Sequence, residues 1–237
     1  MGERGGNLGF SIEDLGSGPL VKRAVFLDRD GVINRAMVRD GKPYPPASVA
    51  EFELLPGVVE ACAELKAAGF LLVVATNQPD VGRGTQRREE VEAMHAAMCA
   101  ALPVDRVEVC YDPGQGQPSE FRKPAPGMLL RAARELGIDL AQSWMIGDRW
   151  RDIDCGAAAG CRTIFIDHGY DEPLRAAPDF RAASLRAAVP MLLGIGRGET
   201  FFFLVDRAGG KGFLARLPRH RARRPSTKEN NPGQADL

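Results

Sequence analysis

This sequence lacks a long apolar run, a secretory leader, a paired set of cysteines and a net charge. No stretch approaches the roughly 18 apolar residues needed to cross a bilayer; Phe70 to Ala75 is only strand-sized. A membrane protein is therefore not expected. The opening MGERGGNLGF has no apolar segment of the kind a secretory signal carries. The five cysteines, Cys62, Cys99, Cys110, Cys155 and Cys161, are odd in number and scattered. They argue against a disulfide framework and for a reducing, cytoplasmic setting.

The missing net charge is a sum over two unlike parts. Across the chain, 31 Lys+Arg balance 31 Asp+Glu. Residues 196–237 hold nine bases and four acids, an excess of five positive charges; the other 195 residues hold 22 bases and 27 acids. An acidic body is joined to a basic tail. The 237 residues, 44% hydrophobic and 26% charged, are those of an ordinary soluble globular protein with ample chain for a core.

Residues 1–20 contain six glycines and little apolar periodicity, and read as a flexible leader. From Val21 short apolar runs alternate with helix-like segments. Strands are expected at Val25 to Leu27, Phe70 to Ala75, Val107 to Tyr111, Trp144 to Ile146 and Thr163 to Ile166. Helices are expected over Pro56 to Ala68, Arg88 to Ala101, Gly127 to Leu136, Asp152 to Ala159 and Asp179 to Leu193. Glycines 69 and 137 stand where helices stop. This alternation predicts an α/β fold: a doubly wound, mainly parallel five-stranded sheet, Rossmann-like, over residues 21–194. Asn34 to Leu55, rich in Pro and Gly, is a flap, and no insertion is long enough for a large cap domain. Residues 195–237 read as a basic, largely disordered tail. A hairpin between Thr200 to Val205 and Phe213-Leu214 is only weakly signalled.

In such sheets ligands bind beyond the carboxyl ends of the strands. There stand Asp28-Arg29-Asp30-Gly31 after the first strand, Thr76-Asn77-Gln78 after the second and Arg122-Lys123-Pro124 in the loop after the third. Gly147-Asp148 follows the fourth, and Asp152 opens the next helix. Taken singly each has a mundane reading. Asp is common in turns, Asp152 suits a helix cap, and Lys123 suits a solvated surface. Together they are several carboxylates, a hydroxyl and a lysine at one sheet edge. Crowded carboxylates need a counter-charge. Mg²⁺ suits, because it takes few carboxylates and keeps positions for water and phosphate. An aspartate that attacks phosphorus forms an aspartyl-phosphate, which divides hydrolysis into two easier steps.

These motifs, with Leu55-Pro56-Gly57-Val58 and Arg83-Gly84, resemble those of haloacid dehalogenase (HAD) superfamily phosphatases over about residues 21–193. They are most similar to the subgroup of heptose-bisphosphate and histidinol-phosphate phosphatases. The resemblance implies Asp28 as nucleophile and metal ligand, and Asp30 as general acid and base, with its backbone carbonyl on the metal. It implies Thr76 and Lys123 as holders of the transferring phosphoryl group. Asp148 would be the third Mg²⁺ ligand, with Asp152 behind it. Asn77, Gln78, Arg122 and Arg149 would contact substrate. The expected activity is Mg²⁺-dependent hydrolysis of a sugar bisphosphate such as D-glycero-D-manno-heptose 1,7-bisphosphate. Histidinol phosphate and the 3′-end phosphate of a nucleic acid are the alternatives, nucleic acid being the less expected partner.

The sequence departs from the subgroup in two places. Its members usually carry a zinc loop with a Cys-x-His and a Cys-x-Cys pair. Here Cys110 is followed by Tyr111-Asp112-Pro113, and Gly114 to Phe121 holds neither His nor Cys, so structural zinc is not expected. The basic tail has no counterpart in the family. A monomer acting on a small phosphorylated substrate is the expectation.

Overall fold

Alternation along the first strand sets the architecture. In β1 (Arg23–Leu27), Val25 and Leu27 point to one face of the sheet and Ala24 and Phe26 to the other, as a period of two requires. All four are fully buried. A strand buried on both faces needs a layer of helices on each side. The computed structural model, which describes residues 21–117, 119–194, 202–204 and 213–215, supplies both.

The sheet contains β1, β4 (Phe70–Asn77), β5 (Arg106–Cys110), β6 (Trp144–Gly147), β7 (Arg162–Ile166) and β8 (Phe180–Ala182). Their order is β5-β4-β1-β6-β7-β8 and every pairing is parallel. Val25, Leu27 and Val74 pack on one face with α1 (Val58–Ala67), Met98 of α3 (Arg88–Ala101) and α6 (Leu185–Leu192). Ala24, Phe26 and Val73 pack on the other with α4 (Gly127–Leu136) and α5 (Trp150–Ala159). The chain fills the sheet outward on one side of β1, then returns and fills the other. The reversal places a crevice beyond the ends of β1 and β6.

Two expectations change. The sheet has six strands, not five, because Phe180–Ala182 pairs with β7 instead of opening the last helix. Asp179 fixes it there, its carboxylate accepting from Thr163 N at 2.8 Å. The helix starts only after Ser184, whose hydroxyl caps Ala187 N at 3.1 Å. The flap contains a small hairpin, β2 (Met37–Arg39) and β3 (Lys42–Tyr44). Asp40 and Gly41 form its tip, both at positive φ (50° and 70°), as a two-residue hairpin turn of the Asp-Gly kind demands. A four-residue helix, α2 (Pro79–Gly82), follows β4.

The leader over 1–20 and most of the tail lie outside the described residues. Within the tail, β9 (Phe202–Leu204) and β10 (Phe213–Ala215) pair antiparallel as a separate two-stranded sheet. Among the described residues no helix is long and apolar enough to cross a membrane.

Candidate active site

The ends of β4, β1 and β6 lie side by side, so Thr76, Asp28 and Asp148 converge although far apart in sequence. Oxygen atoms from Asp28, Asp148 and Asp152 all lie within 4.8 Å of one another. Lys123 enters from the loop after β5. Its Nζ lies 2.8 Å from Asp28 Oδ1, 2.6 Å from Asp152 Oδ1 and 2.7 Å from the Ala75 carbonyl. Three carboxylates and one ammonium thus share a nearly dry space: Asp28, Lys123, Asp148 and Asp152 are exposed by 8%, 2%, 2% and 0%.

The electrostatics follow from that crowding. Burial pushes the Asp28 carboxyl up to about 6; Lys123 opposes this, and the Asp152 and Asp30 charges reinforce it. Asp148 is raised well above its ordinary value by burial, then by Asp28 and Asp152. Burial alone would lower the Lys123 ammonium, but Asp152 and Asp28 more than reverse it. One ammonium against three carboxylates leaves a deficit of positive charge. Both oxygens of Asp148 are buried and lack a well-aligned donor, although the Tyr170 phenol comes close. Acceptors left in that state are costly unless a cation meets them, so the donor set fits a hard divalent ion.

Glycine makes the approach possible. Gly31 has φ +88°, and a Cβ there would lie 1.9 Å from Asp148 Oδ2. At Gly147 an added Cβ would lie 2.0 Å from Asp152 Cβ. Asp152 is the third residue of α5, and its Oδ2 accepts from Arg149 N at 3.0 Å. It closes the helix start with one oxygen and meets Lys123 with the other.

The remaining expected residues divide into those that face the cavity and those that do not. Asp30, Asn77, Arg122 and Arg149 line an open cavity of about 250 Å³, together with Asp28, Thr76, Lys123, Asp148 and Asp152. Asn77 also braces Lys123: its amide donates to Lys123 O and accepts from Lys123 N, both at 3.0 Å. Gln78 is 2% exposed and lies beneath, donating to Asp30 Oδ2 at 2.8 Å and Thr76 Oγ1 at 3.0 Å. Arg122 donates to the Asp112 carbonyl at 2.6 Å, and Arg149 pairs with Glu172. The Asp30 side chain stands apart from the three-carboxylate cluster. It accepts from Arg29 Nε at 3.2 Å, Arg29 Nη2 at 3.0 Å and Asn34 Nδ2 at 2.9 Å.

Several residues at the site were not expected. Arg83 stands in a motif already quoted but was given no role, and Asn34 opens the flap, where no site residue was sought. Arg83 and Arg151 join Arg122 and Arg149 in lining the same cavity as the carboxylates. After β7, His168 Nε2 contacts the Gly31 carbonyl at 2.7 Å. Tyr170 comes close to Asp148, its phenol pushed up by burial and then by that charge. The rule that strand ends carry function applied to this segment too, and would have found it.

Similarity to known proteins agrees with this geometry. Residues 120–188 match the HAD-hydrolase-like family model. A D-glycero-beta-D-manno-heptose-1,7-bisphosphate 7-phosphatase of Yersinia pestis is 38% identical over 151 residues, covering 59% of this chain and 77% of that protein. A D-glycero-alpha-D-manno-heptose-1,7-bisphosphate 7-phosphatase of Burkholderia mallei is 37% identical over 155 residues, covering 61% and 79%. Among solved structures, the D,D-heptose 1,7-bisphosphate phosphatase of B. bronchiseptica, complexed with magnesium and phosphate, is 30% identical. It superposes with a TM-score of 0.59, covering 73% of this chain and 99% of that one. Sheet order, site and relatives converge: the chain belongs to the HAD-like hydrolase family, among its phosphatases.

Proposed function

We propose that this protein hydrolyses a phosphomonoester of a sugar bisphosphate through an aspartyl-phosphate, with D-glycero-D-manno-heptose 1,7-bisphosphate as substrate and its 7-phosphate as the group removed. One observation carries the reading: Asp28, Asp148 and Asp152 are gathered within 4.8 Å, with Lys123 bonded to Asp28. The relatives above are named for that substrate. The arginine-lined cavity supports a ligand with a second anionic group, since guanidinium suits phosphate recognition.

The chain's own residues divide the work. Asp28 attacks phosphorus and the bond to the sugar oxygen breaks. Asp30 protonates the departing alkoxide. Lys123 and the Thr76 hydroxyl hold the phosphoryl oxygens during transfer. In the second step Asp30 takes a proton from water as the water oxygen attacks the aspartyl-phosphate, and the breaking bond returns its electron pair to Asp28. Asp28, Asp148 and the Asp30 carbonyl would hold Mg²⁺, with Asp152 behind them. The ion would offset the charge of nucleophile and phosphate. Arg122 and Arg149 orient the second phosphate. The protein acts as a monomer in the cytoplasm, and the loop after Cys110 works without zinc.

The test is phosphate release from both anomers of the heptose bisphosphate, histidinol phosphate and a 3′-phosphorylated oligonucleotide, with and without Mg²⁺. Preference for the bisphosphate is expected, and release from none of them would sink the reading. Asp28→Asn is expected to lower turnover at least about 10³-fold while leaving the fold intact.

A further inference from the structure

Gln78 is buried at the end of β4, and its backbone N–H donates to the Cys110 carbonyl at 2.8 Å. Its side-chain nitrogen serves two oxygens, Asp30 Oδ2 at 2.8 Å and Thr76 Oγ1 at 3.0 Å. A primary amide nitrogen carries two hydrogens, so both are committed.

The consequence for Thr76 is directional. A hydroxyl has one hydrogen and two lone pairs. Thr76 accepts from Gln78, which leaves its own hydrogen available for another oxygen. Without the amide, the hydroxyl can rotate about its C–O bond and its hydrogen has no set direction. With it, the hydrogen is left for an anion in the cavity that Thr76 lines. Asp30 gains as well. Arg29 and Asn34 hold its Oδ1, and Gln78 with Arg29 holds its Oδ2. Removing the amide leaves Asp30 Oδ2 held by Arg29 alone.

We propose that Gln78 is a positioning residue for both steps of the reaction rather than a substrate contact: its amide turns the Thr76 hydroxyl toward the phosphoryl group and fixes the plane of the Asp30 carboxylate. This rests on the phosphatase reading above. It predicts two coupled losses, one in phosphate binding that passes through Thr76 and one in intermediate hydrolysis that passes through Asp30.

The experiment uses Gln78→Met, which keeps length and removes both donors, and Gln78→Leu should the first fail to give a wild-type thermal melt. Inorganic phosphate binding is measured by calorimetry in wild type, Gln78→Met, Thr76→Val and the double variant. Affinity is expected to fall about tenfold on Gln78→Met when Thr76 is present and not to fall further when Val replaces it, the signature of an interacting pair. The kcat is expected to fall about 10- to 100-fold, since the lost donors act on the transition state only through their neighbours. Acid quenching is expected to trap a larger fraction of aspartyl-phosphate. Equal losses of affinity in both backgrounds, or an unchanged fraction of intermediate, would overturn the proposal. Absence of phosphate release from the wild type would overturn the phosphatase reading itself, whereas an active wild type with an indifferent Gln78→Met overturns only this inference.

Discussion

Asp148 illustrates how much of this site is purchased against stability. Its carboxylate is buried, poorly supplied with donors and close to two other acids. An amide of the same shape removes the repulsion. Asp148→Asn is therefore expected to raise the metal-free melting temperature at pH 7 by roughly 2 to 4 °C. The same change is expected to abolish the upward shift on adding Mg²⁺, where wild type should gain stability as ligand linkage requires. Thermal melts with and without the ion check both signs. His95 gives a different dependence. It is 5% exposed, and its pKa is lowered by burial and then by Arg29, against the raising effects of Glu92 and Asp30. A histidine held neutral binds its proton more readily when unfolded, so stability is lost as pH falls through about 6.5, the unfolded value. The slope is up to about 1.4 kcal/mol per pH unit. His95→Gln should flatten denaturation midpoints between pH 7 and pH 5; an unchanged slope would refute the assignment.

At the level of elements, the loop between β5 and α4 carries the specificity argument. Asp112 organises it: its two carboxylate oxygens accept from Gly114 N at 2.7 Å and Ser119 N at 2.6 Å, and its carbonyl holds Arg122. Those backbone bonds keep the Asp112 carboxyl below its ordinary value. Asp112→Ala should free the loop and with it Arg122. We expect KM for a bisphosphate to rise about tenfold, roughly one charge-assisted contact, with kcat changed less than threefold. Steady-state kinetics against a monophosphate, which lacks the second anion, separates this from general damage. Such loops were the least legible part of the chain. Asp28, Asp30, Thr76 and Asp148 could be singled out because each stands at or just past the end of a strand whose apolar run is visible, and Lys123 because it stands in the loop after β5. The three-residue β8 was missed, since alternation over Phe180 to Ala182 is too short to register and Leu185 to Leu192 dominates the window. Asp112 was invisible for another reason. Its partners are backbone N–H groups, which every sequence carries.

For the molecule as a whole, the two charge excesses separate along the chain. The acidic excess belongs with the residues that gather carboxylates at one sheet edge. Among the described residues, the two core clusters draw only on those between Ala24 and Leu193. We propose that the phosphatase domain is residues 21–194; a chain trimmed to that range is then expected to keep its melting temperature within about 2 °C and its kcat within about twofold. A melt and a phosphate-release assay on the trimmed protein decide it.

The adjacency of β4, β1 and β6 has one more consequence. Neighbouring strands are held about 4.8 Å apart by their own hydrogen bonds. Asp28 after β1, the Thr76 hydroxyl near the end of β4 and Asp148 after β6 therefore inherit their spacing from backbone geometry common to all parallel sheets. No side-chain substitution in the core can lengthen or shorten that ruler. The flap and the loops after β5 and β7 are under no such constraint. Reaction type and substrate choice are thus separately heritable here, and a graft of one loop is the natural route to a new substrate with the same chemistry.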